Sequence, residues 1–367
     1  HIDWIMFSAA FVLVVFGLVT MNSFSGSNIF FQRQVVWLLL SVIVFFGASF
    51  IDWSFLKRTN VVFAIFAAVS IVLFVLLILG KATNGAKSWL HFGIVSFEPI
   101  DLAELILVIL LAKYFSRRHI EIAHIRHVIV SGIYALVLAV LVALQPDFGG
   151  AVIIAFLWLG MVFVSGVSKK HIAILLTIAV VLFVGLWNFG FAQYQKNRIL
   201  TFLHPLADIR GAGYNAHQAM IAVGSGELLG KGVGYGTQSR LNFLPEYQTD
   251  FIFAAFAEEW GFVGIVLFFV VFGVLLWRII ANAYGGATNF EILYGLGLAI
   301  LLTAHFFVNV GMNMGILPVT GITLPFVSYG GSHLIVSFFA LGVLVSMRKY
   351  MRAAHRESAG HEIIGLN

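Results

Sequence analysis

The chain alternates between long apolar stretches and short polar interruptions, and ten of the apolar stretches are long enough to cross a membrane. A transmembrane helix needs about 20 mostly apolar residues, and tilting accommodates some variation in length. The pattern therefore predicts an all-α polytopic membrane protein with about ten transmembrane helices in a single domain, residues 1–367. The ten stretches are centred near Leu13, Leu40, Val69, Val108, Val137, Leu157, Ala179, Leu267, Leu301 and Leu341.

Two of the interruptions are rich in turn residues, the segments 80–99 and 191–250. The second lies between predicted spans 7 and 8 and is rich in glycine, which permits backbone conformations that other residues avoid. A flexible linker has this composition too, but an unstructured loop of about 60 residues is unusual in a compact protein. Amphipathic residues 216–223 also interrupt it. We therefore expect a large loop that carries short helices.

A third segment, residues 309–332, is apolar enough for a membrane but is repeatedly broken by Gly and Pro. Irregular backbone at membrane depth leaves peptide groups unpaired, and it is tolerated only where protein or a polar cavity satisfies them. We therefore expect this segment to be buried in the protein and to serve a specific purpose.

Basic residues are distributed unevenly around the predicted spans. If both termini are cytoplasmic, most of the Lys and Arg residues that flank the spans face inward, as the positive-inside rule requires. The two turn-rich segments then face outward. The basic residues of the cytoplasmic tail, 348–367, are placed to meet anionic lipid.

Composition agrees with this pattern and excludes several kinds of site. Hydrophobic residues make up 61% of the chain, charged residues only 10%, and the mean hydropathy is +1.01. Soluble domains carry roughly one-quarter charged residues, so the chain is not one of them. It has no cysteine, which excludes disulfides, thiol nucleophiles and thiolate metal sites.

Asp250 is the leading catalytic candidate. It ends the large loop immediately before an apolar run, which places a carboxylate at the outer membrane boundary. A partly desolvated carboxylate there is suited to act as a general base. The alternative interpretation is that Thr249 or Asp250 caps the following helix, because both residue types are favoured at that position.

Other acids are candidates for supporting roles. Asp101 and Glu104 lie one turn apart on one face of the fourth span. Glu258 lies about two turns into the eighth span, where carboxylates are costly and are functional candidates by default. Each of these acids either caps a helix or forms an ion pair, or it contacts the substrate. Together they also offer oxygen ligands for Mg²⁺ or another divalent cation. The supporting acids are Asp101, Glu104, Asp147 and Glu258.

The large loop also supplies cations and hydrogen-bond donors on the same outer side as Asp250. Arg binds phosphate oxygens in pairs, Lys acts as a point charge and glycine-rich backbone adds N–H donors, so a pyrophosphate suits this set. The alternative is a solvated basic face. Residues 230–237 are glycine-rich but are not a Walker A sequence, and we expect neither a nucleotide nor a nucleic-acid partner. The substrate-binding candidates are Lys196, Arg198, Lys231, Thr237, Gln238 and Arg240.

Short motifs along nearly the whole chain resemble those of the SEDS family, the RodA, FtsW and SpoVE proteins, in family order. They include Gln-Pro-Asp-Phe-Gly at 145–149, Thr-Asp-Phe-Ile-Phe at 249–253 and the block 309–332. The remaining matches are at 3–4, 84–89, 198–200, 211–214, 236–239, 243–245 and 257–261.

The resemblance implies a peptidoglycan glycosyltransferase of the cytoplasmic (inner) membrane. Such proteins polymerise lipid II, an undecaprenyl-pyrophosphate-linked disaccharide pentapeptide, on the outer face of the membrane, together with a class B penicillin-binding protein. Asp250 matches the essential external acid of the family, whose implied role is to deprotonate the attacking sugar 4-hydroxyl. The Asp-Trp opening and residues 317–327 look more like RodA than FtsW, which implies cell elongation and rod shape rather than division.

One motif departs from the family pattern. Where the family usually reads Gln-Pro-Ser-Glu-Phe-Ala-Lys, residues 98–104 read Glu-Pro-Ile-Asp-Leu-Ala-Glu, so an acid paired with lysine becomes two acids. Either Glu104 meets a different cation, or one acid stays protonated, or a divalent ion bridges them.

Two other functions fit the same sequence. Ten spans with broken helices and buried acids also describe a transporter that flips lipid II. A carrier predicts its key acids near the middle of the membrane, whereas Asp250 lies at the outer boundary. A non-catalytic scaffold for the penicillin-binding protein is the third possibility, in which Asp250 only caps a helix.

Overall fold

The structure is a computed structural model of the chain. It describes residues 2–23, 29–80, 89–92, 95–117, 125–167, 169–191, 193–204, 212–241, 243–244, 246–286 and 288–364. Three of the family-like motifs fall partly outside these residues, namely 84–88 of the motif at 84–89, the first residue of the motif at 211–214 and the last residue of the motif at 243–245.

Long helices account for all ten predicted spans, and the prediction of an all-α polytopic membrane protein is confirmed. Seven of the described helices are long and apolar enough to cross a membrane. The helices at the ten predicted positions are α1 (Trp4–Asn22), α2 (Ile29–Phe50), α3 (Thr59–Leu79), α4 (Pro99–Ser116), α5 (Ile125–Leu144), α6 (Phe148–Val164), α7 (Lys169–Phe189), α11 (Ile252–Tyr284), α12 (Asn289–Asn313) and α13 (Gly331–Ile364). A short 3-10 helix (Ser54–Lys57) precedes α3.

Helix α4 lies at the centre of the bundle, packed against α3, α12, α5, α6 and α13. Nearly all of its residues are buried, including Asp101 and Glu104. Its charged side chains therefore face protein rather than lipid, which is the placement that the cost of an ionised group in hydrocarbon requires.

Two short antiparallel strands precede α4, β1 (Leu90–Phe92) and β2 (Val95–Phe97). They lie in the first turn-rich segment, for which the sequence predicted only an external loop. The hairpin is too short to show an alternating pattern of polar and apolar residues, which explains why it was not predicted. Strand β2 packs against α13.

The large loop contains the short helices that the sequence predicted, α8 (Gln193–Leu203), α9 (Ala212–Ser225) and α10 (Thr237–Arg240). Helix α9 packs against both α11 and α12, and its residues Ala219 and Ala222 are fully buried. This part of the loop is thus an integral layer of the fold rather than a linker.

Helix α11 is broken at Gly261, whose φ of 64° and ψ of −168° are not helical. The main-chain N–H groups of Phe262 and Val263 donate to the carbonyls of Glu227 and Leu228 in the large loop, at 2.9 and 3.1 Å. The N–H groups of the loop residues Lys231 and Gly232 donate in turn to the carbonyls of Glu258 and Glu259. The loop backbone is therefore inserted into the break and satisfies its peptide groups, as a broken helix at a membrane boundary requires.

The break changes the expected surroundings of Glu258. Rather than lying in an uninterrupted apolar span, it is in the outer part of α11, beside the inserted loop. The 33 residues of α11 extend roughly 50 Å at 1.5 Å per residue, more than one membrane thickness. Residues 262–284 alone are long enough to cross the membrane.

At the opposite end of the bundle, Asp3 ties three helices together. Its carboxylate caps α1 by accepting from the N–H of Met6 at 3.0 Å, and it also accepts from Asn282 at 2.8 Å and from Arg278. Arg348 of α13 donates to the Asn282 side chain. The Asp-Trp opening of the chain thus anchors α1 to α11 and α13.

Candidate active site

The apolar but broken segment forms a non-helical passage, residues 315–330, between α12 and α13. Gly315, Gly321 and Phe326 adopt positive φ angles, and Leu324 and Phe326 are almost completely buried. Its peptide groups find partners, as the sequence analysis required. For example, the hydroxyl of Ser328 accepts from the N–H of Leu324 at 2.8 Å and donates to the carbonyl of Thr249 at 2.6 Å.

The passage is joined to the turn that carries Asp250. The N–H of Tyr329 donates to the carbonyl of Gln248 at 2.8 Å. The side-chain amides of Asn309 and Asn313, one turn apart on α12 and fully buried, both donate to the carbonyl of Asp250, at 2.9 and 3.0 Å. The main-chain carbonyl of Asp250 is therefore held by two hydrogen bonds, and neither of them uses its carboxylate.

Helix capping does not account for Asp250. The residue at the cap position of α11 is Phe251, which forms no side-chain cap hydrogen bond. The position of Gly321 is adjacent to the Asp250 carboxylate, since a Cβ built there would lie 3.5 Å from Oδ2. Asp250 thus lies against the non-helical passage, half-buried at the start of α11.

The electrostatic surroundings of Asp250 suit a general base. Burial and the negative charge of Glu246 raise the pKa of Asp250 to about 6, against the opposing effects of the Thr249 hydroxyl and Arg198. A base works best when its pKa lies near the operating pH, because it is then ionised yet still binds a proton readily.

Arg198 of α8 is the candidate cation whose charge acts on Asp250. Its Nη1 donates to the carbonyl of Thr320 at 3.3 Å, and its positive charge opposes the raised pKa of both Asp250 and Asp147. Arg198 also borders a cavity of about 60 Å³ between α8, α9 and the non-helical passage. The other lining residues are Thr201, Phe202, Ala216, Met220, Gly315, Leu317, Pro318 and Val319.

Asp147 lies in the same region and caps a helix. Its Oδ1 accepts from the N–H of Gly150 at 2.9 Å and so caps α6. Burial raises the pKa of Asp147. Burial, together with repulsion from Asp101, Asp147, Glu104 and Asp250, raises the pKa of Glu98 well above its usual range. The five acids are therefore close enough to influence one another.

Asp101 and Glu104 are each paired with a histidine. Asp101 Oδ1 lies 3.0 Å from Nδ1 of His333, and Oδ2 accepts from the Ser332 hydroxyl at 2.8 Å. Glu104 Oε2 lies 2.8 Å from Nε2 of His305. Of the three alternatives left open by the departure from the family motif, the first applies when the His305 ring is protonated, because Glu104 then meets a different cation.

Sequence reasoning missed both histidines. The available signals were a histidine in an apolar span four residues before Asn309, and another directly after the Gly-Ser of the broken segment. Neither signal identifies the acid with which the histidine pairs.

Three of the predicted substrate-binding residues are gathered around Glu258 instead. Its fully buried carboxylate accepts from Lys231 Nζ at 2.7 Å, from the N–H and hydroxyl of Thr237, both at 2.9 Å, and from the N–H of Gln238. The partner of Glu258 is thus the large loop, not a neighbouring span. These contacts anchor the loop at the break in α11.

The remaining candidates are less constrained. Lys196 is half-exposed on α8. Arg240 ends α10, and its side chain lies outside the described part of the structure. Among the described residues, no three His, Asp or Glu side chains are grouped closely enough to hold a metal ion. The roles of these residues and of a divalent cation stay predictions.

Comparison with known proteins gives a consistent result. The sequence profile of the FtsW, RodA and SpoVE cell cycle proteins matches residues 2–353. The chain is 33% identical over 355 residues to peptidoglycan glycosyltransferase MrdB of Escherichia coli K12, covering 96% of this chain and 95% of MrdB. It is also 33% identical over 359 residues to a Haemophilus influenzae protein named probable peptidoglycan glycosyltransferase FtsW, covering 94% and 89%.

The fold is similar to that of a chain in a solved structure described as the structural coordination of polymerization and crosslinking by a peptidoglycan synthase complex. The TM-score is 0.81 and the sequence identity 30%, and the match covers 95% of this chain and 98% of that one.

Proposed function

Because this chain belongs to the FtsW, RodA and SpoVE family of cell cycle proteins, we propose that it is a peptidoglycan glycosyltransferase that polymerises lipid II. Relatives that match almost its entire length bear the name peptidoglycan glycosyltransferase. The observation that carries the proposal is Asp250 itself, a half-buried acid whose main chain is fixed by Asn309 and Asn313 and whose pKa is raised to about 6.

In the reaction, Asp250 accepts the proton of the sugar 4-hydroxyl on the acceptor. The hydroxyl oxygen forms a bond to the anomeric carbon of the donor sugar, and the bond from that carbon to the pyrophosphate oxygen breaks. Undecaprenyl pyrophosphate leaves with the bonding electrons. Stabilisation of the charge on a leaving group is usually a large contribution to catalysis.

Arg198 is the best-supported residue for that stabilisation. It is the cation whose charge acts on both Asp250 and Asp147, and it borders a cavity beside the non-helical passage. Lys196 on the same helix is a second donor for the pyrophosphate. Lys231, Thr237 and Gln238 support this role less well, because their donors already serve Glu258.

The active side of the protein is the outer face of the cytoplasmic membrane, with both termini in the cytoplasm. This orientation is supported by the excess of Lys and Arg on the predicted inner side. Assignment to cell elongation rests on the RodA-like sequence of residues 317–327. A class B penicillin-binding protein is the proposed partner, in keeping with the similar chain found in a peptidoglycan synthase complex.

The test is polymerisation of purified lipid II in liposomes by the wild type, Asp250→Asn and Glu246→Gln, with and without a class B penicillin-binding protein and Mg²⁺. Asn keeps the shape of the side chain but cannot accept the proton. Glu246 is the matched control, an exposed acid of the same turn. We expect polymer from the wild type and Glu246→Gln, and none from Asp250→Asn.

Equal amounts of polymer from Asp250→Asn and the wild type would remove Asp250 from the chemistry. No polymer from any of the three proteins, even with the partner present, would instead favour the transport of lipid II or a scaffolding role. A circular-dichroism melt of each variant in detergent establishes that the comparison is made between folded proteins.

A further inference from the structure

The paired histidines and acids form one buried network in the centre of the bundle. Asp101 and Glu104 come from α4, His305 from α12 and His333 from α13. The side chains of these residues are between 3% and 11% exposed. The two imidazole rings lie 4.9 Å apart, centroid to centroid. The network therefore contains two acid–histidine pairs in direct contact.

In the described part of the chain, neither acid forms an ion pair with a lysine or an arginine. The histidines are therefore the only cations that neutralise them there. Lysine and arginine remain charged at all physiological pH values, whereas histidine gains or loses its proton between about pH 5 and 8. The net charge of the network is thus set by the protons on two imidazole rings.

The network is connected to the catalytic turn through one face of α12. His305, Asn309 and Asn313 are spaced four residues apart and so lie on the same face of the helix. Asn309 and Asn313 hold the carbonyl of Asp250. The network thus begins one helical turn from the residues that fix the proposed base.

The charged groups around the network are mainly acidic. Asp101 and Glu104 face the histidines from α4, and Asp147 faces His305 from the start of α6. Glu98 and Asp250 belong to the same group of acids, and the permanent charge of Arg198 acts on Asp250 and Asp147. Where these carboxylates are ionised, they repel a pyrophosphate, and protonated histidines offset that repulsion.

We propose that His305 and His333 are positioning residues that neutralise Glu104 and Asp101 when protonated, so that binding of a pyrophosphate-linked substrate weakens as these rings lose their protons. The inference rests on the proposed function and identifies a property of its substrate site. Loss of one proton adds a negative charge to a desolvated region near the substrate, and we expect the KM for lipid II to rise about tenfold for each proton lost.

The test is the pH dependence of KM and kcat for lipid II between pH 6.5 and 9, in the wild type, His305→Gln and His305→Lys. Gln keeps a hydrogen-bond donor but cannot carry a charge, and Lys carries a permanent one. We expect the wild-type KM to rise with pH, the KM of His305→Gln to be high throughout with a weaker pH dependence, and that of His305→Lys to remain lower than the wild-type value at high pH.

His127→Gln is the matched control, because His127 is also buried and hydrogen-bonded, to Tyr114, near the opposite end of α4. Its KM profile should follow that of the wild type. The double variant Glu104→Gln/His305→Gln removes both charges of one pair and should recover a low KM at high pH. That recovery distinguishes charge balance from a general loss of packing.

A wild-type KM that stays constant over the pH range would overturn the inference even if every histidine variant failed to fold. Identical profiles for the wild type and a folded His305→Gln would do the same. Failure of the proposed function has a different signature, the absence of wild-type polymer at every pH.

Discussion

The side-chain amide of Asn309 donates to the main-chain carbonyl of Asp250 over 2.9 Å. The same amide also donates to the carbonyl of Ile322 at 2.7 Å. One buried side chain therefore joins the turn that carries the proposed base to the non-helical passage beside it. Because neither segment is a regular helix at this point, the position of Asp250 depends on such side-chain contacts.

Asn309→Asp should uncouple the two segments. The substituted side chain has nearly the same shape but, when ionised, no donor, so both carbonyl oxygens lose this hydrogen bond. We expect the free energy of unfolding to fall by about 1–3 kcal/mol, and the rate of polymerisation to fall at least tenfold because Asp250 is misplaced. Melting temperature in detergent and initial rate measure the two effects.

The control for this variant is Asn188→Asp. Asn188 is exposed on α7 and donates to the carbonyl of Val184 in its own helix at 2.8 Å. It should lose little stability or activity. Normal polymerisation by a folded Asn309→Asp protein would show that the amide is not needed to place the base.

The raised pKa of Asp250 predicts an acidic limit to activity. The base is effective only when ionised, and an acid with a pKa of about 6 gains its proton as pH falls through that value. We therefore expect kcat to be half its plateau value near pH 6 and to fall about tenfold per pH unit below it. The measurement is the initial rate of polymerisation at saturating lipid II between pH 4.5 and 8.

Two neighbours should move this limit in opposite directions. Glu246→Gln removes a negative charge that raises the pKa of Asp250, so activity should persist to lower pH. Thr249→Val removes a hydrogen bond that lowers the same pKa, so activity should be lost at higher pH. If neither substitution moved the acidic limit, the limit would belong to a different group.

The position of the candidate base could be predicted from the sequence, because it depends on local signals. Asp250 directly precedes an apolar run, and the Gly and Pro residues of 309–332 predict an irregular backbone that must be buried. The positions of the long helices follow from their apolar length. These inferences need no knowledge of which helices are neighbours.

The partners of the buried acids could not be predicted in this way. Glu104 and His305 are 201 residues apart in the chain, and Asp101 and His333 are 232 apart. Their pairing depends on the packing of α4 against α12 and α13, which the sequence alone does not reveal. For the same reason Lys231 suggested a pyrophosphate ligand, although its ammonium group contacts Glu258.

The contact between Lys231 and Glu258 predicts a coupling that a double-mutant cycle measures. The lysine side chain is 30% exposed and the glutamate side chain is completely buried. Breaking a buried ion pair is strongly destabilising because one charge is left without compensation. We expect Glu258→Gln and Lys231→Gln each to lower the melting temperature, and the double variant to lose less stability than the sum of the two.

Lys170→Gln provides the reference for removing an exposed lysine and should have little effect. Lys231 would belong to the substrate site if Lys231→Gln raised the KM for lipid II and left the melting temperature at the wild-type value. The stability effects of the two single variants would then add.

Gly261 should be intolerant of any side chain, because the break in α11 depends on it. Its φ of 64° with ψ of −168° belongs to a region that is essentially restricted to glycine. A Cβ there would lie 2.2 Å from the main-chain nitrogen of Gly230, so Gly261→Ala must displace the inserted loop. The variant should lower both the melting temperature and the activity, and expose the loop to proteolysis.

Gly273→Ala is the control. It lies in the same helix with no atom within 4 Å of the added Cβ, and it should leave all three measurements unchanged. Equal resistance of both variants to a protease would mean that the loop does not depend on the break for its position.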